Sequence, residues 1–235
     1  MQRLQTTLFT FLLGLSWSVA GASSEVRVIG EMRRMFMAHD IGPNVDLAKV
    51  LHEPHIYALG PLAGLKGEVT ILDGQVFTSK VSDRQESVAL DPAAKSVFLV
   101  YSFVPSWRSV PLATNLVSET DVATFLDRLL PANARTAFLV RGVARRARYH
   151  IQNYQGNAAG LTHEAHDKAK VHFELSDTPV QLVGFFTKRD EDGGSFVHQG
   201  QAIHIHIISD DHKSMGHLES ISLAPGARLL LPEAE

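Results

Sequence analysis

Two histidines separated by one residue are the clearest candidates for chemistry in this 235-residue chain. His204 and His206 alternate with isoleucines, so a β-strand here would direct both imidazoles to one face, about 6–7 Å apart along the strand. Imidazole nitrogens at that separation can converge on one metal ion, at metal–nitrogen distances of about 2.0–2.1 Å. The chain has 12 histidines, so the pair alone also fits a chance spacing on a solvated strand face.

A third histidine follows at the distance of a hairpin. The segment 209–216 is rich in turn-forming residues, so the chain can return as a second strand that begins at His217. Three neutral imidazoles with an open coordination position are typical of a catalytic metal site. Two further histidines, His198 and His212, come after Gly-Gly and Asp-Asp pairs and are predicted to lie in surface loops.

Composition limits what such a site can be. The chain has no cysteine, so any metal must be bound by nitrogen and oxygen ligands, and thiolate nucleophiles, iron–sulfur clusters and disulfides are excluded. With 45% hydrophobic and 20% charged residues, it has the composition of a globular protein with a substantial core. The formal net charge of −3 gives no sign of nucleic-acid binding, which normally needs a basic excess.

The hydrophobic pattern predicts mostly strands around the histidines. The predicted strands span 136–143, with an extension through 149, then 171–175, 181–187, 202–208 and 217–223. Two helices precede them: a short one over 47–51, capped by Asn44, and a longer one that a capping box opens at Ser118 and Pro131 stops. Many strands with few helices predict an α+β domain with a mixed or antiparallel β-sheet.

A β-hairpin is predicted in the first half of the chain, where 67–72 and 75–78 flank the turn dipeptide Asp73-Gly74. Alternation places Glu68 and Thr70 on one face of this hairpin and apolar residues on the other. Taken alone, Glu68 fits an ordinary strand carboxylate near a turn.

The first 22 residues have the pattern of a secretory signal peptide. Arg3 supplies the positive start, an apolar run covers 8–19, and 20–22 offers the small residues of a cleavage site. The apolar run is shorter than the ~20 residues that span a bilayer. We therefore expect a secreted or periplasmic protein whose mature part, residues 23–235, forms one domain with two half-units, at about 25–131 and 132–235.

Three blocks resemble the α-acetolactate decarboxylase family in order and spacing. The segment 57–74 is similar to the family's glycine-rich, Gly-Glu, Leu-Asp-Gly block. The segment 173–185, which ends in Leu-Val-Gly-Phe, resembles the strand that precedes the metal ligands, and 204–217 resembles the His-x-His, acidic loop, Gly-His block. The resemblance covers about 27–232, nearly the whole mature chain.

This resemblance implies a fold, a site and an activity. His204, His206 and His217 would bind a zinc ion, and Glu68 would be an active-site carboxylate. The chain would be a metal-dependent carboxy-lyase that decarboxylates small branched 2-hydroxy-3-oxo acids to hydroxyketones such as acetoin. The family also suggests a homodimer.

The position of the substrate-binding arginine departs from the family pattern. The family has an arginine within an Arg-Ser-Val-Pro-like stretch, but here the ungapped position is Ile151, and 108–111 carries that tetrapeptide too early in the chain. A small gap reaches Arg148, which we take as the candidate for binding the substrate carboxylate. It lies in a cluster with Arg141, Arg145 and Arg146.

The tail after the last histidine also differs. The family uses a further glutamate near its C-terminus, whereas here the carboxylates after His217 are Glu219, Glu233 and Glu235. Glu219 shares a strand face with His217 and could orient a ligand, or be an exposed strand residue.

These departures from the family pattern leave an alternative function. The chain could be a metal-containing paralogue that binds a small oxoacid or hydroxyketone without turnover. An unrelated cupin-like metal protein fits the glycine-rich hairpin less well.

Overall fold

The computed structural model describes residues 24–50, 54–112, 118–188, 195–198 and 200–233. The predicted signal segment 1–22 lies outside these ranges and stays a prediction. Within the described ranges, no helix is long and apolar enough to cross a membrane.

Short helices connect a succession of β-strands. The strands of the first half are β1 Arg27–Ile29, β2 Val45–Asp46, β3 Ile56–Pro61, β4 Glu68–Leu72, β5 Gln75–Ser82, β6 Gln85–Leu90, β7 Lys95–Ser96 and β8 Leu99–Phe103. Those that follow are β9 Trp107–Pro111, β10 Arg135–Gln152, β11 Lys170–Thr187, β12 Ile203–Ser209, β13 Met215–Leu223 and β14 Arg228–Pro232. The α-helices are α1 Arg34–Met37, α2 Leu47–Val50, α3 Glu119–Leu129 and α4 His163–Lys168.

Two six-stranded antiparallel sheets hold most of these strands. The first has the order β1-β8-β3-β4-β5-β6 and the second β11-β12-β13-β10-β14-β9. In the second sheet β10 also pairs with β11, so the pairings β10–β11, β11–β12, β12–β13 and β13–β10 form a closed ring of four strands. The predicted α+β class with antiparallel sheets and few helices is confirmed.

The predicted hairpin is the β4–β5 pair. Leu72 pairs with Gln75, and the two turn residues Asp73 and Gly74 have φ angles of 49° and 77°. Positive φ at both central positions is what a two-residue type I′ turn requires. The register that follows from this turn places Glu68 and Thr70 on the face opposite the buried Val69.

The strands predicted separately over 136–143, 171–175 and 181–187 belong to one long hairpin. β10 and β11 pair along their whole lengths, from Arg135 with Thr187 to Gln152 with Lys170. The turn-forming residues 176–179 predicted a break, but Asp177 has a φ of 47° and the pairing with β10 continues in the same register on both sides of it. The turn signal therefore marks a local interruption of the pairing at Asp177 and not the end of the strand.

One helix follows the prediction and the other differs from it. In α3, Ser118 caps the helix as predicted, by accepting a hydrogen bond from the backbone N–H of Asp121; Val122 and Leu126 are buried, whereas Leu129 is exposed. Asn44 does not cap α2, since β2 intervenes and its side-chain amide donates to Asp40 and to the Val97 carbonyl. Leu51 and residues up to 53 lie outside the described ranges.

The main hydrophobic core joins the two sheets. It combines Leu59 and Val100 of the first sheet with Leu139, Val183 and Phe185 of the second, all fully buried. This contact places the polar face of β4 against the strands that carry the histidines.

Candidate metal centre

The structure brings the three predicted histidines together. His204 and His206 lie on β12, and His217 lies on β13 directly opposite His206 in the strand register. One nitrogen from each ring lies within 4.8 Å of the others, and His204 Nε2 is 3.1 Å from His217 Nδ1. Nitrogens at these separations can bind one ion with only small adjustments of the rings.

Backbone packing beside His217 depends on the preceding glycine. A Cβ atom at Gly216 would lie 2.5 Å from the His150 carbonyl oxygen on β10. Only glycine therefore allows β13 to approach β10 closely enough to place His217 over the centre of the site.

Hydrogen bonds on the far side of two rings hold them in orientations suited to a metal. His204 Nδ1 donates to the Phe196 carbonyl oxygen at 2.8 Å, which leaves Nε2 of this neutral ring with its lone pair. His206 Nδ1 lies 3.0 Å from the Thr70 hydroxyl. Its other nitrogen, Nε2, is buried and has no hydrogen-bond partner among the described residues. A buried polar atom without a partner is costly, and a bound cation would satisfy it.

Burial also favours the form of histidine that binds metals. Desolvation lowers the pKa of His204 to about 3 and holds the pKa values of His206 and His217 well below their usual range. All three rings are therefore neutral at physiological pH. Neutral imidazole is the ligand form, so the donor set fits a divalent transition metal.

Glu68 reaches the same point from the first sheet. Its side chain is buried. One carboxyl oxygen accepts a hydrogen bond from the backbone N–H of Gln152 at 3.1 Å, and the other oxygen lies 3.8 Å from His206 Nε2. Burial raises the pKa of Glu68 to about 8, an effect that the Gln152 hydrogen bond and the charge of Lys170 only partly offset. A carboxyl group that can carry a proton at neutral pH thus lies beside the histidines.

A cavity of about 260 Å³ opens in front of these groups. Its wall includes Glu68, His204 and His217 together with an apolar side formed by Met32, Met35, Pro61, Leu65, Phe98 and Leu218. The remaining wall is polar and consists of Glu119, His150, Gln152, His166, Lys170, His198, Gln201 and Glu219. A small polar molecule that binds here would contact His204, His217 and Glu68 together.

Several of these wall residues are missing from the sequence-based prediction. His150 lies opposite His217 in the β10–β13 register, and the two rings stack with centroids 4.7 Å apart. Glu119, at the start of α3, has a pKa raised to about 8, first by burial and then by the charge of Glu219. His198 lies outside any helix or strand, as predicted, but it is half-buried in the cavity wall rather than on the open surface. His212 is half-buried in the β12–β13 turn, against Phe77.

Arg148 lies outside the cavity wall. Its side chain is 50% exposed, and its Nε pairs with a Glu219 carboxyl oxygen at 2.9 Å. The other Glu219 oxygen is 3.0 Å from His150 Nδ1 and 2.9 Å from His172 Nε2. Glu219 therefore orients His150 through this network. The sequence had suggested His217, on the same strand face, as the histidine that Glu219 could orient. The placement does not support a direct contact between Arg148 and a molecule in the cavity.

The sequence and the fold both match a known family. The alpha-acetolactate decarboxylase family matches residues 48–229. The structure resembles alpha-acetolactate decarboxylase from Bacillus subtilis strain 168, with a TM-score of 0.71 and 16% identity over 89% of this chain and 86% of that one. It equally resembles a Staphylococcus aureus protein of unknown function similar to alpha-acetolactate decarboxylase, with a TM-score of 0.71 and 18% identity over 88% and 84% of the two chains. No curated protein matches at a significant level. The family match over most of the sequence shows that the chain belongs to the alpha-acetolactate decarboxylase family.

Proposed function

We propose that the protein is a zinc-dependent carboxy-lyase that converts a 2-hydroxy-3-oxo acid of the acetolactate type to a hydroxyketone such as acetoin. Membership of a decarboxylase family supports the reaction class. The observation that carries the proposal for this chain is that three neutral imidazoles and the buried Glu68 carboxyl meet at one point, beside a cavity that His204, His217 and Glu68 line.

The reaction needs an acceptor for an electron pair and a donor for a proton. When the bond between the carboxylate carbon and C2 breaks, carbon dioxide leaves and the electron pair moves into the adjacent ketone to form an enediolate. One proton added to carbon then gives the neutral hydroxyketone. A bound zinc ion would supply Lewis-acid stabilisation of the negative charge that develops on the substrate oxygens. His204, His206 and His217 would hold this ion.

Glu68 is the group placed to handle the proton. Its carboxyl lies beside His206 and faces the cavity, and its raised pKa lets it carry a proton at neutral pH. The backbone N–H of Gln152 binds one of its oxygens, and the other lies 3.8 Å from His206 Nε2. A positioned acid of this kind contributes about 10²- to 10⁴-fold in rate.

Acetoin formation from racemic acetolactate tests the proposal. The metal-loaded protein should produce acetoin, and the same preparation treated with a chelator should not. A protein that retains stoichiometric zinc and binds the oxoacid, yet forms no acetoin, would instead be the non-catalytic paralogue.

We also propose that the protein is exported by the N-terminal segment 1–22, because a charged start, a short apolar run and small residues form a cleavage pattern. Mass spectrometry of the protein from the extracellular or periplasmic fraction should show a new N-terminus at about residue 23. An intact N-terminus on cytoplasmic protein would contradict export.

A further inference from the structure

The cavity wall contains one lysine and no arginine among the described residues. Of the residues that line it, only Lys170 carries a primary ammonium or guanidinium group. A carboxylate in the cavity therefore has one such cationic side chain within the wall to contact.

The position of Lys170 is set by the long hairpin. It is the first residue of β11 and pairs with Gln152 at the end of β10. The backbone N–H of Gln152 donates a hydrogen bond to the Glu68 carboxyl. Lys170, Glu68 and His204 all line the same cavity, so the ammonium group shares the space in front of the candidate metal ligands.

The present partner of Lys170 leaves it able to bind an anion. Its Nζ lies 2.8 Å from a carboxyl oxygen of Asp167, whose side chain is 68% exposed, whereas the lysine side chain is 24% exposed. An ion pair with an exposed carboxylate is weak because water screens it. An anion inside the cavity would be less screened, and an ammonium has three hydrogens to donate, so it can contact both groups.

We propose that Lys170 binds the carboxylate of a small 2-hydroxy acid or 2-hydroxy-3-oxo acid in the cavity. The inference rests on the proposed function for its choice of oxoacid, but the carboxylate contact itself does not require turnover. Decarboxylation removes the charge that Lys170 binds. The same residue therefore favours the anionic substrate over the neutral hydroxyketone, which helps the product to leave.

The test compares Lys170→Met, which keeps the length of the side chain and removes its charge, with Lys168→Met as the matched control. Lys168 is on α4, with its side chain 75% exposed and paired with Glu164 outside the cavity wall. Calorimetric titrations of the metal-loaded proteins would use lactate as a non-reacting anion and acetoin as an uncharged ligand. Lys170→Gln provides a second neutral variant, and Lys170→Arg restores the charge.

We expect Lys170→Met and Lys170→Gln to weaken lactate binding about 10- to 100-fold, the usual effect of losing a charge-assisted hydrogen bond. Acetoin binding should change less than about twofold, Lys168→Met should behave as wild type, and Lys170→Arg should recover most of the affinity. For acetolactate, the neutral variants should raise KM more than they lower kcat.

Two results would overturn the inference: lactate affinity unchanged in both neutral variants, or an equal loss of affinity in Lys168→Met. The proposed function fails separately, when the wild type forms no acetoin. If such a protein still bound lactate in a way that depends on Lys170, the carboxylate site would stand and the proposed decarboxylase activity would be wrong.

Discussion

Replacing Glu68 with glutamine should change how the stability of the metal-free protein depends on pH. Burial raises the pKa of Glu68 from 4.5 to about 8 in the folded state. A raised folded-state pKa means that the folded protein binds the proton more tightly than the unfolded chain does. The stabilisation is therefore complete below pH 4.5, and it is lost as the pH rises through 8. Glutamine has no proton to lose, so Glu68→Gln removes this part of the pH dependence.

The size of the effect follows from the two pKa values. A shift from 4.5 to about 8 amounts to about 5 kcal/mol over the full range, at about 1.4 kcal/mol per pKa unit. Between pH 5 and pH 7 the linkage relation gives a loss of about 2.5 kcal/mol from Glu68 alone. Glu119, whose pKa is also about 8, contributes a similar loss to both proteins and cancels in the comparison.

Urea denaturation of the chelated wild type and Glu68→Gln at pH 5, 6 and 7 measures this difference. The free energy of unfolding of the variant should rise relative to the wild type by about 2.5 kcal/mol across the series. Parallel pH curves for the two proteins would refute the argument, because they would mean that Glu68 is ionised in the folded state throughout.

Other predictions concern metal binding, rate and packing. His206→Ala should lose the metal on dialysis while His212→Ala keeps it, as measured by metal content per chain; equal loss in both would make the ligand assignment wrong. Glu68→Gln should retain the metal but form acetoin about 10²- to 10⁴-fold more slowly. Unchanged turnover would mean that Glu68 does not transfer the proton. Leu126→Ala, which empties a fully buried position beneath α3, should lower the free energy of unfolding by about 2–5 kcal/mol, whereas the exposed Leu129→Ala should change it by less than about 1 kcal/mol.

The parts of the site that could be predicted from the sequence are those with local signals. The alternation of His204 and His206 with isoleucines fixes a shared face, and the Asp73-Gly74 turn fixes the register that places Glu68 on the face of β4 opposite Val69. These features depend on residues a few positions apart, so periodicity and turn chemistry suffice to find them.

The rest of the wall depends on pairing between distant strands. His150 reaches the site because β10 extends beyond the predicted end and pairs with β13, and Lys170 reaches it because β11 starts opposite Gln152. No local sequence signal sets these registers, and the turn-forming residues 176–179 predict a strand end where the pairing with β10 continues in the same register. The choice of Arg148 within the arginine cluster stays a prediction. Which face of β10 meets the cavity is decided by its neighbours, because its pairing with β13 has register shifts.

Reconstitution of turnover by the metal is the most direct test of the central claim. Protein stripped by a chelator would be dialysed, loaded with one equivalent of zinc and given racemic acetolactate, with His206→Ala treated in parallel. We expect acetoin formation to be absent from the stripped protein, to return with zinc in the wild type and not to return in His206→Ala. Acetoin formation that is the same with and without zinc, or is retained by His206→Ala, would contradict the claim.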